Sequence, residues 1–149
     1  MRKVDALLAD YASHHRAKGN LVCHAFGITL IVFGILEMLL MLRLPAAAPW
    51  TAAEILIAAT FLFDLTLDAS LALAMLAELA LLDLAARAAA DWRLGLAAFV
   101  VGWVFQGVGH ARFEKNRPAF SKNLAHLLVG PLFLLNELLH VRRIESPSH

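Results

Sequence analysis

Apolar runs separated by short polar breaks divide this chain into a series of helical stretches. Near the N-terminus Val4, Leu7, Leu8 and Tyr11 recur at i, i+3, i+4 and i+7, which is one face of a helix. The pattern predicts a short amphipathic helix over residues 4–15, either lying on a membrane surface or packed on the rest of the chain. Residues 21–42 follow with Glu37 as their one charge. At 1.5 Å per residue they are long enough for a hydrocarbon core of roughly 30 Å, and Asn20 just before them has the chemistry of an N-cap.

Pro45 and Pro49 then mark a loop, and Thr51-Ala52-Ala53-Glu54 has the form of a capping box. The apolar region 52–90 is too long for one crossing. Asp64 and Asp68 lie near its middle, where a lone carboxylate in lipid costs several kcal/mol. A helical hairpin with both aspartates in its turn avoids that cost, which predicts spans at residues 52–63 and 69–86, the first of marginal length. Asp91 is placed to cap a fourth helix over residues 92–110, with Trp92 and Trp103 as interfacial or packing aromatics.

Residues 111–122 read as a basic loop carrying Arg112, Lys115, Arg117 and Lys122. The apolar segment 124–141 contains Gly130-Pro131, and a proline there kinks or breaks a helix. That segment either spans with a kink or re-enters on the same side. The tail from Ser146 is polar and expected to fray. No internal repeat of fixed period stands out.

The fold expected is therefore all-α: an integral membrane helical bundle of about four to five hydrophobic helices with a short N-terminal amphipathic helix, in one domain over residues 1–149. Composition agrees, since 60% of residues are apolar and mean hydropathy is +0.69, against roughly 45–50% apolar in soluble domains. A net charge of +1 and the lack of a basic stripe exclude a nucleic-acid partner. The single Cys23 excludes an internal disulfide and a Cys-rich metal site. Asp5, Asp10 and a histidine pair precede the first apolar run, unlike a cleaved signal peptide, so the first span is expected to stay in the mature protein.

Counting crossings from the N-terminus returns the chain to its starting face at Asp64 and again at His110. His15, His24 and His110 then share one membrane face. Arg2, Lys3, Arg16, Lys18, Arg112, Lys115, Arg117 and Lys122 fall on that face, against Arg43, Arg87 and Arg93 on the other. The positive-inside rule makes the histidine face cytoplasmic.

A lone interfacial histidine is usually a packing or hydrogen-bonding residue. Three neutral imidazoles delivered to one face beside apolar walls are also a natural site for a divalent transition metal. His110 and Glu114 are i and i+4, so Glu114 can ligate such a metal, orient the imidazole, or pair with a loop base. Glu137 lies in an apolar run and needs a partner if it stays charged. Asn20 and Gln106 can equally be a cap and a helix contact. His126 and His140 are fourteen apart, a spacing able to stack two haems, but no matching pair occurs elsewhere. The box patterns of membrane di-iron hydroxylases, elbow-type serine hydrolases and P-loop proteins are absent. Three classes remain: metal-dependent chemistry on an amphiphile, a non-enzymatic membrane scaffold or lipid-binding protein, and, with the least support, a haem-binding membrane protein.

Two longer patterns carry a resemblance. The first is Tyr11-x3-His15-x4-Asn20-x3-His24-x2-Gly27. The second begins Gly102-Trp103-x-Phe105-Gln106-x2-Gly109-His110-x2-Phe113-Glu114-Lys115-x-Arg117-Pro118-Ala119-x3-Asn123-Leu124, and Pro131-x-Phe133-x3-Glu137 follows. Together they resemble the family of the yeast endoplasmic-reticulum 2-hydroxy fatty acid dioxygenase. The middle hairpin resembles that family only in hydropathy. Lys18-Gly19 and Thr29 stand where family members often carry proline, which alters turn stiffness more than chemistry.

The resemblance implies an Fe(II)-dependent α-oxidation in which a 2-hydroxy fatty acid and O2 give the one-carbon-shorter fatty acid and CO2, a step serving phytosphingosine breakdown in yeast. It implies His15, His24 and His110 as iron ligands and Glu114 near the metal as a catalytic residue. Asn20, Arg112, Lys115 and Arg117 would face the substrate, with Tyr11, Gln106 and Glu137 in support; His14 and His126 stay outside the ligand set. The short alanine-rich spans suit a bacterial homologue in an inner membrane, or the endoplasmic reticulum in a eukaryote. Membrane lipid is the expected surrounding, and a homo-oligomer is allowed.

Overall fold

The computed structural model describes residues 2–42, 49–114 and 126–142, with backbone alone at His126. It is a helical bundle. The helices are α1 (Lys3–Ser13), α2 (Lys18–Leu40), α3 (Ala52–Leu65), α4 (Ala69–Ala89), α5 (Trp92–Gly109) and α6 (His126–Leu139), with a π-helical turn His110–Glu114 continuing α5. Three helical stretches, Lys18–Leu40, Ala69–Ala89 and Trp92–Glu114, are long and apolar enough to cross a membrane. At 14 residues each, α3 and α6 reach only about 21 Å, short of a full crossing.

The centre of the bundle is the antiparallel pair α2 and α5. Asn20, Gly27 and Gly34 recur every seventh residue on α2, and Gly95, Gly102 and Gly109 do the same on α5. They oppose one another in register. A Cβ on Gly102 would stand 2.6 Å from the Gly27 carbonyl oxygen, and one on Gly95 would stand 2.6 Å from Glu37 Cγ. Where lipid tails are as apolar as the helices, van der Waals contact between close backbones drives association. Glu37, fully buried, accepts the Asp91 N–H at 2.5 Å. The one charge of the first apolar run thus ties α2 to the start of α5.

The hairpin α3–α4 forms, but only Asp68 sits at its turn: the Leu67 and Asp68 N–H groups bond to the Asp64 carbonyl, which leaves Asp64 in the last turn of α3, buried and with both carboxylate oxygens unpaired among the described residues. Thr51 and Glu54 make the capping box, and Asp68 accepts from Ser70 and Leu71 N–H to start α4. Asp91 likewise accepts from Arg93 N–H at the start of α5. α1 buries Val4, Leu8 and Tyr11; their neighbours in the core include Val129, Leu132 and Phe133 of α6. This helix is packed on the bundle.

Three local expectations change. Asn20 lies inside α2, whose N-cap is Ala17; Glu114 accepts the Ala17 N–H at this helix start, and Asn20 Oδ1, the atom a cap would use, has no hydrogen-bond partner among the described residues. Residues 111–114 form the π turn, not a loop. Pro131 sits within a continuous α6. The direction of α6 follows from its contacts. Leu127 and Leu128 share a cavity with Glu78, halfway along α4, whereas Arg142, just past the helix, pairs with Asp5 and Asp68 near the histidine end. The helix therefore runs from mid-depth back to the histidine end, the re-entrant alternative.

Candidate metal centre

The second turn of α2, the π turn that continues α5 and the segment after α1 bring the three histidines together. His15, His24 and His110 are all buried, with ring centroids 4.4 to 5.0 Å apart and potential ligand atoms all within 4.8 Å of one another. His15 Nδ1 lies 2.8 Å from the Tyr11 carbonyl and His24 Nδ1 lies 3.0 Å from the Asn20 carbonyl. A carbonyl oxygen only accepts, so each Nδ1 carries the proton and each Nε2 presents a lone pair.

Those two Nε2 atoms face each other at 3.0 Å. Two acceptors at that distance repel unless a cation lies between or beside them. Two nitrogens about 2.1 Å from one ion and at a right angle to each other are separated by about 3 Å. His110 adds a third imidazole whose buried Nδ1 has no hydrogen-bond partner among the described residues. The donor set thus fits a divalent transition metal. Burial pulls the His15 pKa down to about 4, so this imidazole is in its ligating, neutral form at neutral pH.

The supporting contacts are specific. Tyr11 stacks on the His15 ring at 4.0 Å and 6°. Glu114 does not point among the imidazoles. One of its oxygens accepts from Ala17 N–H at 2.8 Å and from Asn20 Nδ2 at 3.2 Å. It thereby caps the start of α2 from the π turn and ties together the segments that carry His15, His24 and His110. Gly109 makes room for Asn20, because a Cβ there would overlap the Asn20 side-chain oxygen.

Gln106 is buried, with its Nε2 unpaired among the described residues, and it lines a cavity of about 190 Å³ that opens from the three histidines. Arg112 is exposed. Glu137 is exposed on α6, and the buried residue beside it is Asn136, whose amide bonds the Arg142 backbone. Lys115 and Arg117 lie outside the described residues. His140, one of the histidines spaced for haem, is exposed beyond α6.

Sequence reasoning missed the cavity wall: Ile28, Ile31 and Ile35 of α2, and Phe99 of α5. Trp103, which its sequence position marks as an interfacial or packing aromatic, lines the cavity as well. The wall residues of α2 follow His24 at helical spacing, but apart from Thr29 their neighbours between His24 and Glu37 are apolar or glycine, so little contrast in the sequence marks that face.

Comparison with known proteins is consistent with the site. The family described as "2-hydroxy-palmitic acid dioxygenase Mpo1-like" matches residues 1–142. The chain is 34% identical over 136 residues to the 2-hydroxy-palmitic acid dioxygenase MPO1 of Saccharomyces cerevisiae, covering 89% of this chain and 77% of that protein. No solved structure matches. The chain belongs to the 2-hydroxy-palmitic acid dioxygenase Mpo1-like family.

Proposed function

We propose that this chain is a non-haem Fe(II) dioxygenase that removes one carbon from 2-hydroxy fatty acids. In the overall reaction R–CH(OH)–COOH and O2 become R–COOH, CO2 and H2O. The C1–C2 bond breaks, C2 rises from the alcohol to the carboxyl level, and O2 takes up the four electrons. No external reductant is required.

The observation that carries the reading is the facing pair of Nε2 lone pairs, completed by His110, at the mouth of an apolar cavity. Family membership supplies the substrate class. Ferrous iron held by His15, His24 and His110 would activate O2 and chelate the hydroxyl and carboxylate of the substrate. The Tyr11 and Asn20 carbonyls hold the protons on Nδ1 and so keep the two Nε2 atoms available. Gln106 offers its unpaired N–H to a substrate oxygen. Arg112, with Lys115 and Arg117, supplies positive charge for the carboxylate. Glu114 acts as a positioning residue through Ala17 and Asn20.

The chain would reside in a bacterial inner membrane with its histidine end toward the cytoplasm, a reading supported by the excess of Lys and Arg at that end. Protein purified in detergent is expected to hold about one iron per chain. His110→Ala should lose iron and 2-hydroxy acid-dependent O2 uptake while keeping its helical circular-dichroism spectrum. Full activity in that variant removes the assignment, and wild-type protein without stoichiometric metal points to a membrane scaffold.

A further inference from the structure

The cavity at the histidines does not end near them. Its wall on α2 is His24, Ile28, Ile31, Val32 and Ile35, one stripe at i, i+4, i+7, i+8 and i+11 that runs along the helix toward mid-depth. Phe99 and Trp103 of α5 face it from one side, and Leu127 and Pro131 of α6 from the other. From His24 to Ile35 the helix rises about 16 Å. A second cavity of about 190 Å³ shares Val32, Ile35, Leu127 and Pro131 with the first, so these side chains form a wall between the two.

Beyond that wall stands Glu78, halfway along α4, with Thr60 of α3 lining the same space. Glu78 makes no hydrogen bond or ion pair with a described residue. A carboxyl group in a membrane-embedded apolar space has a cost that function ordinarily justifies, and nothing in the metal centre uses it.

We propose that the first cavity is the acyl channel of the substrate, that the wall at Ile35 measures chain length, and that Glu78 marks its far limit. This deepens the proposed function and rests on it, since the head group at the histidines fixes where the tail begins. A tail in bulk lipid would meet no length limit. A tail inside the protein meets Ile35 after about a dozen methylenes, taking about 16 Å of helix rise as the channel length. Longer chains must displace the wall and bring a terminal methyl against a carboxyl. Removing that carboxyl or filling the floor therefore moves the limit in opposite directions.

The test compares wild type, Ile35→Trp and Glu78→Leu on a series of saturated 2-hydroxy acids of increasing length. Ile35→Trp should lower the long-to-short ratio of kcat/KM by about tenfold or more, because each misfitted methylene in an apolar pocket counts for at least that much. Glu78→Leu should extend the accepted range upward. A second readout needs neither turnover nor a stable variant at position 35. With Trp50 and Trp92 replaced by Phe, Trp103 fluorescence is followed while 2-hydroxy acids brominated at successive carbons bind the iron-loaded protein in the absence of O2. Quenching should be strongest for bromine near the head and at least twofold weaker at the chain end, and unlabelled 2-hydroxy acid should reverse it. An unchanged length profile in an active Ile35→Trp protein overturns the channel, as does quenching independent of bromine position. Position-dependent quenching in a wild-type protein that consumes no 2-hydroxy acid would sink the proposed reaction and leave the channel standing.

Discussion

At the scale of single residues, the site depends on side chains that hold the histidines as much as on the histidines themselves. Glu114 is the clearest case. Its carboxylate accepts from the N–H of Ala17, the N-cap of α2, and from Asn20, so its effect on a metal is indirect. Removing such supporting groups typically costs 10–100-fold in metal affinity. Glu114→Ala is expected to weaken Fe(II) binding by about that factor with the helical content unchanged, measured by equilibrium titration with a competing chelator. An unaltered affinity would show that the latch does not set the site. Asp5 supports a different prediction. Arg142 bonds its carboxylate and holds its pKa below the ordinary 3.8. A carboxylate with a depressed folded pKa contributes stability that is full above its unfolded value and is lost as pH falls through the folded one. Wild type should therefore melt above Asp5→Asn near neutral pH, and the gap should close as pH drops below 3.8. The histidine and glutamate identities were legible in the sequence, but which atom each one presents was not, because that depends on carbonyls and amides brought in by other segments.

At the scale of elements, the glycine register of α2 and α5 governs stability. Gly34 has the Gly95 carbonyl directly against the place a Cβ would take, whereas Gly107 has nothing within 4 Å. Gly34→Ala is expected to destabilise by about 1–3 kcal/mol through overpacking against backbone that cannot yield. Gly107→Ala should instead stabilise by up to about 1 kcal/mol through helix propensity. Thermal or denaturant unfolding in one detergent would separate the two, and equal effects would argue against the close pairing. Between α4 and α5, Ala90 has φ 48°, in the left-handed region where a Cβ is disfavoured. Ala90→Gly should raise the unfolding free energy by about 1 kcal/mol or less. The hairpin and its caps could be read from Thr51, Asp68 and Asp91, since capping is local chemistry. The seven-residue spacing of Gly95, Gly102 and Gly109 is present in the sequence, but that it faces Gly34, Gly27 and Asn20 is decided only when the two helices are laid antiparallel. The direction of α6 is decided in the same way. Its sequence allows a kinked span, and only the Leu127 and Arg142 contacts orient it.

At the scale of the whole molecule, two ends with different chemistry emerge. One carries the three histidines, the Asp5–Arg142–Asp68 ion pairs and the α3–α4 turn. The other carries the Arg87 pairs with Glu54 and Asp83 and the Asp91–Glu37 bond. In a Cys23→Ser background, Asp10→Cys should be shielded from a membrane-impermeant thiol reagent in intact cells, and Trp92→Cys should react. The opposite pattern would invert the orientation. The sequence alone determined that the chain is a helical membrane protein, where its hairpin turns, and which few side chains could ligate a metal. Hydropathy, capping and charge are properties of neighbouring residues, so one dimension suffices to read them. Only the tertiary structure decided that two imidazole lone pairs face each other beside a third ring, that Glu114 bonds Ala17 and Asn20 across the chain, and that an apolar cavity opens there. Each of those facts is a distance between residues far apart in the chain, and helices apolar on every side carry no local mark of which face meets which.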